Sequence, residues 1–352
     1  MKKMQTPERG FTLLSAGVCA IVLMGMVGLA VDVGRMYIVK SEAQVYVDSA
    51  AVAAALELDG TLDGLERART AARNGVNRWN LATQVFSSVL TDFATQATGP
   101  WNANPSSGAN HAFVRVRAIA DTPIYFMTVI DGRTSSDVAA VGAAGQVPKT
   151  SFREGLFPFS PYAHNNSAPH FGLNPGTHYT LRWPANPKLN QNICPGDNHP
   201  AVLNTATAGG GEERGFIEQT SSSIIRQTIE ADYQSVFRVL GESVNMTGGA
   251  KQTQVDSIRN RVNQDSDPTS TTYAQYLSRG QGNGRRLVVA PINTGHPNYR
   301  IVNFGLFFLL TPGEYHNGAN KPFCAEYVGS WVQGSRNKGV AATGAYVVRL
   351  VQ

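Results

Sequence analysis

The stretch RGFTLLSAGVCAIVLMGMVGLAVDVGRMY, residues 9–37, decides the fold of this chain. From Phe11 to Val31 it runs 21 residues without a charged side chain. As an α-helix that run is about 31 Å long, close to the thickness of the hydrocarbon core of a bilayer. We therefore predict a transmembrane helix over residues 11–31, preceded by a short cytoplasmic N-terminus over residues 1–10.

A cleaved signal peptide is the alternative to a permanent anchor. The apolar part of a signal peptide is usually about 7–15 residues long and ends at a cleavage site of small residues. Here the apolar run is longer, and no proline or turn signal interrupts the chain from Phe11 until Gly60. We therefore expect an uncleaved anchor.

The orientation of the anchor is predicted from the basic residues on its two sides. Lys2, Lys3 and Arg9 precede the apolar run, whereas Arg35 and Lys40 follow it. Positive charge is enriched on the cytoplasmic side of membrane helices. The N-terminus is therefore expected inside the cell and everything after the anchor outside.

The anchor is predicted to continue as a helical stem. Apolar residues after the membrane recur at the spacing of one helical face. They are Met36, Val39, Ala43, Val47, Ala50, Ala54 and Leu58. A second helix is predicted from Asp63, with Asp63 as its N-cap, and a short helix from Pro123.

The expected fold class is α+β. The stem and a small helix–strand–strand–helix–strand module occupy residues 32–147, with strands at TQVFSSVL (83–90), AFVRVRAIA (112–120) and SSDVAAVGAAGQV (135–147). Residues 148–352 are expected to form a larger, mainly β extracytoplasmic domain, because candidate strands there alternate with Gly- and Pro-rich turns.

The amino-acid composition of the chain excludes some classes of function. Charged residues make up 16% of the chain, and the net charge of +5 is not concentrated in a basic cluster with interleaved aromatic residues. We therefore expect no nucleic-acid partner. Three cysteines are too few for a zinc site, and the sequence indicates no cofactor and no catalytic motif.

A single disulfide bond is predicted from the cysteine positions. Cys19 lies inside the predicted span, so only Cys194 and Cys324 face the outside. In an oxidising compartment, two cysteines in one domain tend to pair. Two buried free thiols are the alternative.

The first fifty residues resemble the N-terminal region of TadG-like proteins of the Tad (Flp) pilus assembly system. The shared pieces are Arg9–Gly10, the apolar span, the Asp32–Gly34 exit, Gln44, and Asp48 followed by SAAVAAAL, which contains Ala50 and Ala54. Longer members of that family carry a von Willebrand A domain with a D-x-S-x-S metal motif. That pentad does not occur here, so the resemblance is to the short form.

The resemblance implies a single-pass protein of the bacterial inner membrane that acts without catalysis in pilus assembly. Its implied partners are the lipid bilayer and pseudopilins or other Tad components. GFTLLS also resembles the GFTLIE of type IV prepilins, but Ser15 stands where prepilins have glutamate. Asp32, at the membrane edge, is interpreted as a solvated interface residue, with a buried functional acid as the alternative.

A tethered extracytoplasmic enzyme or carbohydrate-binding module is the alternative function. Trp183, Tyr179, Phe171 and Trp331 are candidates for lining a groove, although core packing is the favoured use of such aromatic residues. Ser335 and Lys338 have the spacing of a nucleophile pair but lack its partner motifs.

Overall fold

The computed structural model of the chain describes residues 9–75, 78–79, 84–86, 88–208, 214–217, 221–232, 234, 236–249 and 254–351. Most of the predicted cytoplasmic N-terminus, residues 1–8, lies outside the described residues. The fold is α+β, as predicted: a long apolar N-terminal helix is followed by shorter helices and several β-sheets.

Helix α1 spans Arg9–Leu56 and joins the predicted span and the predicted stem in one element of 48 residues. Its predicted inner face is confirmed. Val39, Ala43, Val47, Ala50 and Ala54 are buried in one core cluster together with Leu58, which follows the helix, and Met36 packs at its edge. The helix ends shortly before Gly60, whose φ of +84° suits the turn because glycine has no Cβ to clash there.

Helix α2 (Leu62–Asn74) follows α1 directly and packs against it. The predicted N-cap at Asp63 is wrong: Thr61 caps the helix, since its hydroxyl accepts a hydrogen bond from the Gly64 amide at 3.0 Å. Asp63 lies in the first turn, where a negative charge suits the helix dipole. A two-stranded pair, β1 (Arg78–Trp79) and β2 (Gln84–Val85), comes next.

The first sheet covers the inner face of α1. Its core is an antiparallel set of three strands: β3 (Ser88–Ala94), β4 (Phe113–Pro123) and β5 (Ser135–Pro148). Of the three predicted strands, the second and third are therefore confirmed as β4 and β5, whereas the described part of the first, 83–90, is divided between β2 and β3. The predicted helix start at Pro123 is wrong, because Pro123 is the last residue of β4 and pairs with Ser135. Helix α3 is only Thr128–Asp131.

The second sheet lies in the C-terminal part, in the order His178–Arg182 (β7), Phe323–Gly329 (β11), Ile301–Leu309 (β10), Leu287–Asn293 (β9), all antiparallel. Helices Ser222–Ala231 (α5) and Gln254–Asn263 (α6) pack their apolar residues with its inner face in a second core cluster. The remaining elements are β6 (Ser151–Phe152), α4 (Pro200–Ala208), β8 (Arg238–Val239), α7 (Tyr273–Ser278), β12 (Trp331–Val332) and β13 (Ala345–Leu350).

The chain returns to the first sheet at its C-terminal end. Strand β13 pairs antiparallel with β5, and β12 pairs parallel with β13, so the five-stranded order is β12, β13, β5, β4, β3. The first sheet therefore takes strands from both sides of the predicted boundary at residues 147 and 148, and the division of the chain at that boundary stays a prediction.

Candidate functional site at the membrane-exit helix

The residues of α1 that carry the family resemblance lie where the helix leaves its apolar part and meets the first sheet. Ala50 and Ala54 are buried there, and their small side chains allow close approach of helix and strand. Gly142 of β5 is required for the same approach: a Cβ at this position would lie 2.6 Å from Oδ1 of Asp48 and 2.9 Å from the Val47 backbone. The sequence analysis missed Gly142.

Gln44 forms hydrogen bonds with Asp48 and with β5 beside this contact. The Gln44 side-chain amide donates to Oδ1 of Asp48 at 2.9 Å and to the backbone carbonyl of Val141 at 2.9 Å. The spacing of four residues places both side chains on one side of the helix. The two motif residues therefore fix the register of α1 against β5.

Asp32 is buried, with 2% of its surface exposed, so its interpretation as a solvated residue is wrong. Its carboxylate accepts three backbone hydrogen bonds, from the amides of Tyr125 (3.1 Å), Phe126 (2.9 Å) and Met127 (2.7 Å). Asp32 therefore ties α1 to the loop between β4 and β5, where amides would otherwise lack an acceptor.

The opposite side of α1 is not covered by any residue that the structure describes. Tyr37 is 76% exposed and Val45 is 68% exposed, and Ile38 is exposed between them. Gly34 lies on the same side, and a Cβ added there would meet none of the described atoms within 4 Å. We call Gly34, Tyr37, Ile38 and Val45 the exposed face of the stem. It continues the apolar surface of the helix beyond the predicted span.

The C-terminal end of α1 is held by two side chains for which this role was not predicted from the sequence. Gln146 of β5 donates to the carbonyls of Ala55 (3.0 Å) and Leu58 (2.7 Å). Ser335 donates its hydroxyl to the Leu56 carbonyl at 2.8 Å. Gln146 was recognisable as a polar residue in a run of small apolar ones.

Electrostatic contacts close the turn between α1 and α2. Asp59 accepts hydrogen bonds from the Thr61 hydroxyl (2.6 Å) and from the Arg67 guanidinium (2.7 Å). Burial opposes ionisation of Asp59, but these hydrogen bonds outweigh it and lower the pKa of the carboxyl. Burial raises the pKa of Tyr46, whose hydroxyl stays protonated and donates to the Ala72 carbonyl of α2 at 2.8 Å.

Cys194 and Cys324 lie next to each other, away from α1. Their Cα atoms are 5.8 Å apart, and the two sulfurs are bonded in the structure. Cys194 precedes a short 3₁₀ turn (Pro195–Asp197), and its amide donates to the Thr180 hydroxyl of β7. Cys324 lies on β11, where it pairs with Thr180 of β7. This arrangement would fasten the 194–197 loop to the second sheet, and the bond itself stays a prediction for the oxidised protein.

Of the residues named for an enzyme or a carbohydrate groove, Trp331 and Ser335 line one open pocket, whereas the others do not join them there. Trp183 and Tyr179 are buried in core clusters, and the Ser335 hydroxyl is engaged by α1. Within the residues that the structure describes, no group of three or more His, Cys, Asp or Glu side chains is placed to hold a metal ion.

Residues 10–57 match the family model described as putative Flp pilus-assembly TadE/G-like. The chain thus carries a TadE/G-like domain at its N-terminus, and this domain coincides with α1. No curated protein and no solved structure matches the chain. Among the described residues, α1 is the one helix long and apolar enough to cross a membrane. The match and the helix are consistent with a single-pass membrane anchor in a Tad pilus assembly component.

Proposed function

We propose that the protein is a membrane-anchored, non-catalytic component of Tad pilus assembly that acts through protein–protein contacts of its stem. The observation that supports the proposal is that the two sides of α1 differ in burial. One side packs on the first sheet, whereas the exposed face presents the apolar side chains of Tyr37, Ile38 and Val45, with Ser41 between them, and none of the described residues covers it. The TadE/G-like match covers this same helix.

The partners that fit the exposed face are the apolar helices of pseudopilins or other assembly proteins. The face extends from Gly34 to Val45, so it lies directly beyond the predicted span. A small residue lets a second backbone approach closely, and Tyr37 and Ile38 supply the apolar area around it. A helix emerging from the bilayer next to α1 would bury these side chains without rearrangement of the sheet.

We propose that the N-terminus faces the cytoplasm and that the two sheets lie outside the inner membrane. The basic residues before Phe11 support this orientation. A reporter that is active only outside the cytoplasm, fused after Gln352, is expected to be active, and a reporter that needs the cytoplasm is expected to be silent. The reverse pattern would contradict the proposed orientation.

The proposed function is tested by counting surface pili on cells that lack the gene. We expect such cells to be bare and a plasmid copy of the wild-type gene to restore the pili. Ser335→Ala, which removes the hydroxyl named for a nucleophile, is expected to restore them too, because this hydroxyl donates to the Leu56 carbonyl and accepts from the Asn337 amide, which are structural contacts. Loss of pili with folded, abundant Ser335→Ala protein would favour the enzyme alternative.

A further inference from the structure

The loop between β4 and β5, residues 124–132, lies beside the apolar part of α1. Phe126 rests on Gly28: a Cβ at Gly28 would lie 2.6 Å from the Phe126 Cβ atom. The groove between loop and helix is lined from both sides, and on the helix its lining extends from Leu29 back to Ile21. The loop therefore reaches along the helix well before residue 31.

The position of this groove corresponds to a depth within the bilayer. Ile21 precedes Val31, the end of the predicted span, by ten residues, which is about 15 Å along an α-helix. That distance is roughly half of a hydrocarbon core of about 30 Å. If α1 crosses the bilayer, the 124–132 loop reaches into the leaflet nearest the sheets.

The side chains of the loop suit acyl chains better than water. Val129 is 89% exposed, and Tyr125 and Phe126 are 57% and 50% exposed. The run IYFMTVI, residues 124–130, contains no charged residue. Aromatic side chains are favoured where a membrane helix meets the interface.

Backbone amides of the loop have hydrogen-bond acceptors within the protein, as a segment in lipid requires. In lipid, an amide without an acceptor costs several kcal/mol, so inserted backbone must be satisfied internally. Asp32 accepts the amides of residues 125–127. Three further amides bond to carbonyls within or beside the loop: Ile124 to Thr134 (2.9 Å), Val129 to Phe126 (3.2 Å) and Gly132 to Thr128 (3.0 Å).

Polar groups mark where the loop would leave the bilayer. The Arg35 guanidinium lies over the Tyr125 ring, 4.6 Å from its centroid, one helical turn beyond Asp32. Such a cation–aromatic pair fits the headgroup level, with the ring toward the acyl chains and the charge toward the phosphates.

We propose that the uncharged residues 124–130 of this loop insert into the bilayer as a second membrane contact, with phospholipid acyl chains as their ligand. Together with α1 it would fix the rotation of the globular part on the membrane. The inference rests on the membrane anchor of the proposed function, since without a spanning α1 the loop has no bilayer to enter.

Depth-dependent quenching of a fluorophore tests the insertion. The full chain carrying Cys19→Ser and Val129→Cys is labelled with an environment-sensitive dye without reductant. It is then reconstituted into phosphatidylcholine–phosphatidylglycerol vesicles with acyl chains that carry a nitroxide. The dye is expected to emit at shorter wavelength and to be quenched, because Val129 projects from the loop.

Two matched labels separate the loop from the anchor. Leu23→Cys lies on the exposed apolar part of α1 and is expected to be quenched, whereas Leu62→Cys, exposed at the start of α2, is not. If position 23 is quenched but position 129 behaves like position 62, the loop is in water or is reserved for a helix of another protein, and the inference is overturned. If position 23 is also unquenched, the anchor itself is wrong.

Discussion

Ala50→Asp is expected to detach α1 from the first sheet. Ala50 is buried against the sheet, so the new carboxylate would be an unpaired charge in an apolar core. An uncompensated buried charge costs about 3–5 kcal/mol, which is a large part of the total stability of a typical domain, about 5–15 kcal/mol. Limited proteolysis and thermal unfolding of the detergent-solubilised protein measure the loss.

Ser49→Asp is the matched control, because residue 49 precedes Ala50 and is exposed. It places the same charge one position along the helix, in solvent, and is expected to leave the unfolding midpoint close to that of the wild type. Equal midpoints for the two variants would contradict the placement of Ala50 between α1 and the sheet.

Loss of the Cys194–Cys324 bond is expected to have a comparable effect on the second sheet. The two cysteines are separated by 130 residues. Closing a chain segment of that length stabilises the native state by on the order of 4–5 kcal/mol in the chain-entropy model. The double variant Cys194→Ala/Cys324→Ala should therefore unfold at a clearly lower urea concentration than the wild type.

Cys19→Ser is the control for this experiment, since Cys19 is exposed on α1 and free. Its urea midpoint should match that of the wild type. Alkylation of the denatured, unreduced wild-type protein should modify one thiol, that of Cys19. Three modified thiols, or a double variant as stable as the wild type, would refute the disulfide.

The elements that follow from local pattern were predictable from the sequence. The helical stripe from Val39 to Leu58 identifies the buried face of α1, because each residue on it follows the same 3.6-residue period. Strand β4 was found because its apolar residues alternate with Arg115 and Arg117, and β5 because it is a run rich in small residues. The functional candidates on α1 were found through the family resemblance.

The features that depend on distant segments were not predictable. The sequence around Asp32 predicts a solvated residue at a membrane edge. Its burial depends on the loop about ninety residues later, which supplies three amides. The return of β13 to β5 is similarly set by long-range pairing. Gly142 has no local signal either, because a glycine is required at this position only when Asp48 packs against it.

The proposed function depends on the exposed face of the stem, and rescue of pili by a charged variant tests whether that face is needed. Val45→Glu and Leu62→Glu both place a charge at an exposed apolar position, on α1 and α2 respectively. In cells that lack the chromosomal gene, Leu62→Glu is expected to restore surface pili and Val45→Glu is expected to fail, with both proteins folded and equally abundant in the membrane. Full rescue by Val45→Glu would contradict assembly through this face.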